Sequence, residues 1–153
     1  MPVDWLSWKM KLILPTTTGR GPAETFTGDV YVNTLHNGEA PSRLVAAMVR
    51  FTPGARTNWH SHPLGQTLHC TDGTGLVATR DGAVIVMRPG DTVHTPPGEE
   101  HWHGATTDSM MCHLALLEND GGETATWLEA VTVHEYEAAQ AQTSPELTAR
   151  NRP

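Results

Sequence analysis

Lysine is scarce in this sequence, with only Lys9 and Lys11, and the formal net charge is −7. Such a surface has no basic stripe to follow a phosphate backbone or to bind an anionic lipid surface. Long hydrophobic runs are scarce as well, since the mostly apolar run at residues 10–14 is far shorter than a signal-peptide core or a membrane span. Nucleic acid and membrane are therefore not predicted partners, and no targeting segment is predicted.

Cysteine is also scarce. The two cysteines, Cys70 and Cys112, are too few for a disulfide framework, and each lies in an apolar, strand-like run. This usage predicts a cytoplasmic protein with reduced, buried thiols, because disulfides persist in oxidising compartments. One internal disulfide between them stays open as an alternative.

Glycine and proline, by contrast, are frequent, with 14 and 11 residues, and they recur between short strand-like runs. The length of 153 residues fits one domain with a hydrophobic core. Many short strands joined by Gly/Pro turns are typical of a β-sandwich or barrel. We predict an all-β protein with strands at residues 29–35, 43–51, 57–62, 66–71, 75–80, 83–88, 92–95, 101–106 and 110–117.

The chain divides into three predicted parts. Residues 1–26 form an N-terminal arm, residues 27–120 the β-barrel, and residues 121–153 a C-terminal extension. The Glu, Ala and Gln content of residues 134–142 predicts a short helix in the extension. The arm is a candidate subunit contact that would cover an exposed strand edge.

Four of the nine histidines fall in two His-x-His pairs, His60 with His62 and His101 with His103. Side chains alternate along a strand with period two, so both imidazoles of a pair lie on one face and converge on one point. Imidazole is a common metal ligand. Two such pairs in one chain indicate a metal site.

The residues around these pairs resemble the two motifs of the cupin family. The first motif, G-x5-H-x-H-x3-4-E-x6-G, is matched by Gly54, His60, His62, Gln66 and Gly73. The second, G-x5-P-x-G-x2-H-x3-N, is matched by Gly90, Pro96, Gly98 and His101, with Ala105 in place of the usual Asn. The resemblance implies a single cupin barrel, a double-stranded β-helix of the jelly-roll type. It also implies one divalent metal ion bound by His60, His62, Gln66 and His101.

Gln66 stands where the cupin motif has Glu. Three imidazoles and an amide would leave the charge of a divalent ion uncompensated, which makes it a stronger Lewis acid and disfavours oxidation to the trivalent state. Such donors suit Mn, Fe, Ni, Co or Zn. Two alternatives stay open: Gln66 only forms hydrogen bonds while three histidines bind the metal, or no metal binds.

Residues 19–118, including the strings at 53–68, 97–105 and 111–116, further resemble a bacterial subgroup of small cupins in which glutamine is usual at the position of Gln66. Some members are manganese-dependent hydroxynitrile lyases, which split or form cyanohydrins from an aldehyde and hydrogen cyanide. The resemblance implies manganese as the metal, a small aldehyde- or cyanohydrin-like substrate, and a homo-oligomer, either a dimer or a tetramer.

Three residues are candidates for catalysis. His103 shares a face with His101 and is the preferred base, with a pKa near neutral, the alternative being a solvated histidine at the rim. His113 lies in an apolar strand and is the reserve base, the alternative being a core residue or a partner of the ligands. Thr57 offers a hydroxyl near the first motif, or has a turn role.

Three functions remain open from the sequence. The first is a metal-dependent lyase of the hydroxynitrile lyase type with a histidine base. The second is a metal-dependent dioxygenase, which the missing glutamate disfavours. The third is a cupin that binds a metal or a small ligand without catalysis.

Overall fold

The computed structural model describes residues 9–143. Residues 1–8 of the predicted arm and 144–153 of the predicted extension lie outside this part. The described residues form strands and one short helix. The first strands are β1 (Gly19–Arg20), β2 (Phe26–Thr27), β3 (Val30–Asn37), β4 (Leu44–Phe51), β5 (Arg56–Thr57), β6 (His60–Ser61) and β7 (Gln66–Gly73). The others are β8 (Gly75–Thr79), β9 (Val84–Met87), β10 (Thr92–Thr95), β11 (His101–Ala105), β12 (Met111–Glu118), β13 (Thr126–Trp127) and the helix α1 (Val133–Ala141).

The strands form two antiparallel sheets. In the first, the order is β1-β3-β4-β12-β7-β10. In the second, the order is β13-β6-β11-β5-β2, and β8 pairs with β11 and with β9. Segments of the predicted arm and extension thus pair with the sheets through β1, β2 and β13, and the division at residues 26 and 120 stays a prediction. The all-β prediction is confirmed.

Two clusters of apolar side chains stabilise these sheets. The first lies between them and includes the fully buried Phe51, Leu68 and Met111. It also contains Cys70, which is a free thiol, as is the buried Cys112, so the open disulfide alternative does not hold. Burial of this surface is the main favourable contribution to folding.

The second cluster lies behind the second sheet, under α1. Tyr136 packs against Trp102, and its hydroxyl donates a hydrogen bond of 2.7 Å to the carbonyl of Ala105. The helix begins with a capping box, in which Thr132 and Glu135 each accept a hydrogen bond from the other's backbone N–H. It occupies residues 133–141, one residue earlier than the predicted 134–142. No helix among residues 9–143 is long and apolar enough to cross a membrane.

One predicted strand, residues 57–62, is wrong, because it is divided into β5 and β6. Asn58 and Trp59 lie between them and form hydrogen bonds away from the barrel's own strands. The amide N–H of Asn58 donates to Thr25, and that of Trp59 donates to Glu129, at 2.8 and 3.0 Å. These bonds to the arm and the extension compete with the sheet ladder and interrupt the strand.

Gly73, the last glycine of the first cupin-like motif, ends β7 where only glycine fits. Its φ of +74° lies in the left-handed region, and a Cβ atom there would overlap the carbonyl group of Met110. The glycine therefore lets the chain pass close to the start of β12, which carries His113.

Candidate metal centre

The histidines of the two pairs meet on the inner face of the second sheet. His60 of β6 lies directly opposite His101 of β11 in the strand register, and their ring centroids are 4.4 Å apart. The ring of His62 follows at 5.0 Å from His60 and 5.5 Å from His101. All three side chains are buried. The structure thus brings together the three histidines that the sequence predicted to share a metal.

Each of these histidines is held by a backbone carbonyl at Nδ1. The acceptors are Asn58 at 2.9 Å from His60, Thr124 at 2.7 Å from His62, and Glu99 at 2.9 Å from His101. A ring that donates through Nδ1 carries its lone pair on Nε2, which is the arrangement found in metal-binding histidines. Among the described residues, Nε2 of His62 and Nε2 of His101 are buried without a hydrogen-bond partner.

Gln66 lies at the start of β7, with 6% of its surface exposed. Its Oε1 atom is also buried without a hydrogen-bond partner among the described residues. The side chain interacts with His62, which places the amide at the histidine cluster. Buried polar atoms normally have partners, so unpaired donors from three residues fit a metal ion that they would coordinate.

A fourth histidine lies close to the same cluster. One ring nitrogen each of His60, His101 and His103 fall within 4.8 Å of one another. This group shares two histidines with the predicted ligand set and has His103 where the prediction has His62. His103 belongs to this group because it is two residues beyond His101 on β11 and faces the same side of the sheet.

His103 is 4% exposed, so the alternative of a solvated rim histidine is wrong. Its Nδ1 lies 3.1 Å from Nε2 of His113, which is itself fully buried. The backbone N–H of His103 donates a hydrogen bond of 3.2 Å to the hydroxyl of Thr57. His103 is therefore in direct contact with both of the other predicted catalytic residues.

Comparison with known proteins agrees with this architecture. The profile of the cupin domain matches residues 47–117. A cupin-like protein of known crystal structure from Thermotoga maritima is 37% identical, with a TM-score of 0.76, over 81% of this chain and 95% of its own. The chain belongs to the cupin family. The (R)-mandelonitrile lyase of Granulicella tundricola is 44% identical over 128 residues, which are 84% of this cupin and 98% of the lyase.

A more distant structure confirms the fold alone. The polyketide cyclase of Streptomyces resistomycificus is 19% identical, with a TM-score of 0.63, over 92% of this cupin and 98% of its own chain. The prediction of a single cupin barrel with a short C-terminal helix is thus confirmed.

Burial favours the neutral form of the histidines in the cluster. Desolvation is the largest cause lowering the pKa of His60 and His62, and it lowers the pKa of His101 to about 4. It also lowers the pKa of His103 well below 6.5, with the nearby His113 as the next cause, so the predicted near-neutral value is wrong. Neutral imidazoles have free lone pairs, which is the form that binds a metal ion or accepts a proton.

Arg80 was not identified from the sequence. Its guanidinium stacks on the ring of Trp59 at 3.9 Å and forms ion pairs with Glu100 at 2.6 Å and Glu129 at 2.7 Å. It thereby joins the residues next to His60 and His101 in the chain. Exposed ion pairs contribute little free energy, so the effect is mainly to align the segments.

Aromatic residues beside the histidines were also missed. Phe51 packs against His103 and His113, with ring centroids at 5.8 and 5.4 Å. Trp127 stacks on His60 at 4.6 Å, and Phe26 contacts Trp127 at 5.8 Å. Phe26 and Trp127 are more than 90 residues apart and outside both cupin motifs, so no local sequence pattern could have identified them.

Proposed function

We propose that this cupin is a metal-dependent lyase of the hydroxynitrile lyase type, which splits a cyanohydrin into an aldehyde and hydrogen cyanide and catalyses the reverse reaction. The observation that carries the proposal is the buried cluster of His60, His62 and His101, with their Nδ1 atoms held by carbonyls, beside the His103–His113 pair. The identity of 44% to an (R)-mandelonitrile lyase supports it.

We assign His60, His62, Gln66 and His101 as the residues that hold one divalent metal ion. The unpaired buried atoms of His62, Gln66 and His101 support this set. When bound, the ion would supply a Lewis acid that polarises the substrate oxygen. All four donors are neutral and suit several divalent ions; we propose manganese on the resemblance to the manganese-dependent hydroxynitrile lyases, with iron, nickel, cobalt or zinc as other candidates.

The proposed base is His103. We place the proton between the two histidine rings on Nδ1 of His103, which donates to Nε2 of His113 and leaves the lone pair of His103 on Nε2. Nε2 of His103 is buried without a hydrogen-bond partner among the described residues, so it is free to accept a proton.

In the proposed cleavage, Nε2 of His103 takes the proton of the substrate hydroxyl. The electrons of that O–H bond form the carbonyl, and the electrons of the bond between the two carbons leave with cyanide. His103 then returns the proton to cyanide, so hydrogen cyanide and the aldehyde are the products. His113 acts as a positioning residue, and Thr57 holds the backbone of β11 at His103.

The test is benzaldehyde release from mandelonitrile by manganese-loaded protein with measured metal content. We expect release that is lost in His60→Ala together with the metal, and lost in His103→Gln with the metal retained. The matched control is His94→Gln, since His94 is an exposed histidine bonded to Thr67 on the first sheet. Absence of release above buffer from fully loaded protein would refute the proposal.

The dioxygenase alternative is tested on the same preparation. It predicts uptake of oxygen with phenols, diketones or thiols, whereas the lyase predicts none. Tight metal binding without turnover of any of these substrates would instead indicate the non-catalytic cupin.

We also propose that the protein is a homo-oligomer, either a dimer or a tetramer. The apolar side chains of the arm support this proposal, since Met10, Leu12 and Leu14 are 102%, 84% and 71% exposed. Such a run of uncovered apolar side chains is expected to be buried against another copy. Sedimentation that shows a monomer at micromolar concentration would refute this.

A cytoplasmic location is proposed on the two buried free thiols. Fractionation of the native host cells, followed by detection of the protein, tests it. Recovery from the oxidising, extracytoplasmic fraction would refute this location.

A further inference from the structure

Two aromatic residues from opposite ends of the chain meet beside the histidine cluster. Phe26 belongs to β2 near the N-terminus, and Trp127 belongs to β13 in the C-terminal extension. Their ring centroids are 5.8 Å apart at an interplanar angle of 55°. Phe26 also packs against the first core cluster, and it is not part of the second cluster under the helix.

The strand register shows on which side of the sheet these residues lie. Trp127 is directly opposite His60, and Phe26 is directly opposite Thr57. Residues directly opposite each other in an antiparallel pair project to the same face. Both aromatic residues are therefore on the face that carries the histidines, and the stacking of Trp127 on His60 at 4.6 Å and 29° agrees.

The exposure of the two residues places them at the boundary with solvent. His60 is 1% exposed, whereas Trp127 is 41% exposed and Phe26 is partly buried. Deeper in the barrel, the ring centroid of Phe51 lies 6.5 Å from that of Phe26 and 5.8 Å from that of His103. A continuous aromatic surface thus leads from solvent to the residue proposed as the base.

We propose that Phe26 and Trp127 determine substrate specificity by binding the flat aromatic ring of an aryl aldehyde or aryl cyanohydrin, an assignment that rests on the proposed lyase function. Offset or edge-to-face contact with such a ring favours an aromatic over a saturated group of the same size. We name Phe26 and Trp127 the aromatic rim.

The experiment compares benzaldehyde with cyclohexanecarbaldehyde, each with cyanide, because the two aldehydes have rings of the same number of atoms and differ in aromaticity. The variants are Phe26→Leu and Trp127→Leu, which keep apolar contact and remove the aromatic face. The matched control is Tyr31→Leu, since Tyr31 is 38% exposed and lies on the first sheet, outside the rim. Each variant is first checked for metal content and thermal unfolding.

We expect the ratio of kcat/KM for benzaldehyde to that for cyclohexanecarbaldehyde to fall about 2- to 12-fold in either rim variant, with the main change in KM. The control is expected to keep the wild-type ratio. If Trp127 only shields His60, both aldehydes lose activity equally and the ratio stays constant. That result would overturn the specificity role.

A binding measurement separates failure of this inference from failure of the lyase function. Benzyl alcohol and cyclohexylmethanol are unreactive probes, and their affinities for wild type and variants are measured by titration calorimetry on manganese-loaded protein. A preference for benzyl alcohol that is lost in Trp127→Leu supports the rim even if no cyanohydrin turns over. Equal affinity for both alcohols in the wild type overturns it.

Discussion

The buried pair of His103 and His113 makes stability depend on pH in a way that one substitution isolates. His113 is fully buried, and desolvation lowers its pKa from 6.5 to about 4. The perturbation is His113→Gln, which replaces the imidazole with a neutral side chain whose amide oxygen still accepts a hydrogen bond. The comparison is made on metal-free protein, because protons compete with a metal for the other histidines.

The sign follows from the lowered pKa. Above 6.5 the imidazole is neutral in both states, so the full contribution of His113 to stability is present. As the pH falls below 6.5, the unfolded chain binds a proton that the folded chain does not, and stability is lost until the pH reaches about 4. At 1.36 kcal/mol per pH unit, this loss is about 3 kcal/mol.

The assay is urea unfolding followed by tryptophan fluorescence between about pH 8 and about pH 4 at one protein concentration. We expect His113→Gln to be less stable than wild type at the upper pH. The difference in the free energy of unfolding between the two proteins then shifts in favour of the variant by about 3 kcal/mol at the lower pH. Histidines that His113 does not influence cancel in this difference, and the removal of its effect on the pKa of His103 shifts the gap in the same direction. A gap that stays constant over the whole range would refute the reasoning.

Three further predictions concern the fold and the metal. Gly73→Ala is expected to lower the free energy of unfolding by more than about 3 kcal/mol, because a Cβ there overlaps the carbonyl of Met110. Gly82→Ala, with open space around a φ of +86°, is expected to lower it by about 1 kcal/mol. Urea unfolding measures both. Thr57→Val removes the acceptor of the His103 N–H and is expected to cost about 1–3 kcal/mol, with a lower kcat, measured by unfolding and by benzaldehyde release. Saturating manganese is expected to stabilise the folded protein by about 2.7 kcal/mol at a free metal concentration of 100 times Kd. Tm is measured with manganese and with a chelator, and an unchanged Tm would contradict a metal site.

Local sequence pattern predicted one half of the site well. The alternation of His101, Trp102 and His103 places both histidines on the inner face and the tryptophan under α1, as the period of a strand requires. It worked because β11 is a regular strand paired over its whole length with β8. The facing direction of a side chain is then a property of the strand alone.

The same argument was less complete for His60 and His62. Here the predicted strand is broken at Asn58 and Trp59, whose hydrogen bonds run to residues from the arm and the extension. His62 lies beyond the end of β6, and its orientation depends on the carbonyl of Thr124, which is 62 residues away in the chain. Long-range hydrogen bonds of this kind leave no local signal.

The sequence by itself predicted the all-β class, the cupin barrel, and the histidines and glutamine that the structure brings together. These follow from periods and spacings that act within a few residues or from two motifs close together in the chain. Only the tertiary structure decided the neutral state of His103, its hydrogen bond to His113, and the aromatic rim of Phe26 and Trp127. Desolvation and contacts between distant segments exist only once both sheets have closed around the cluster.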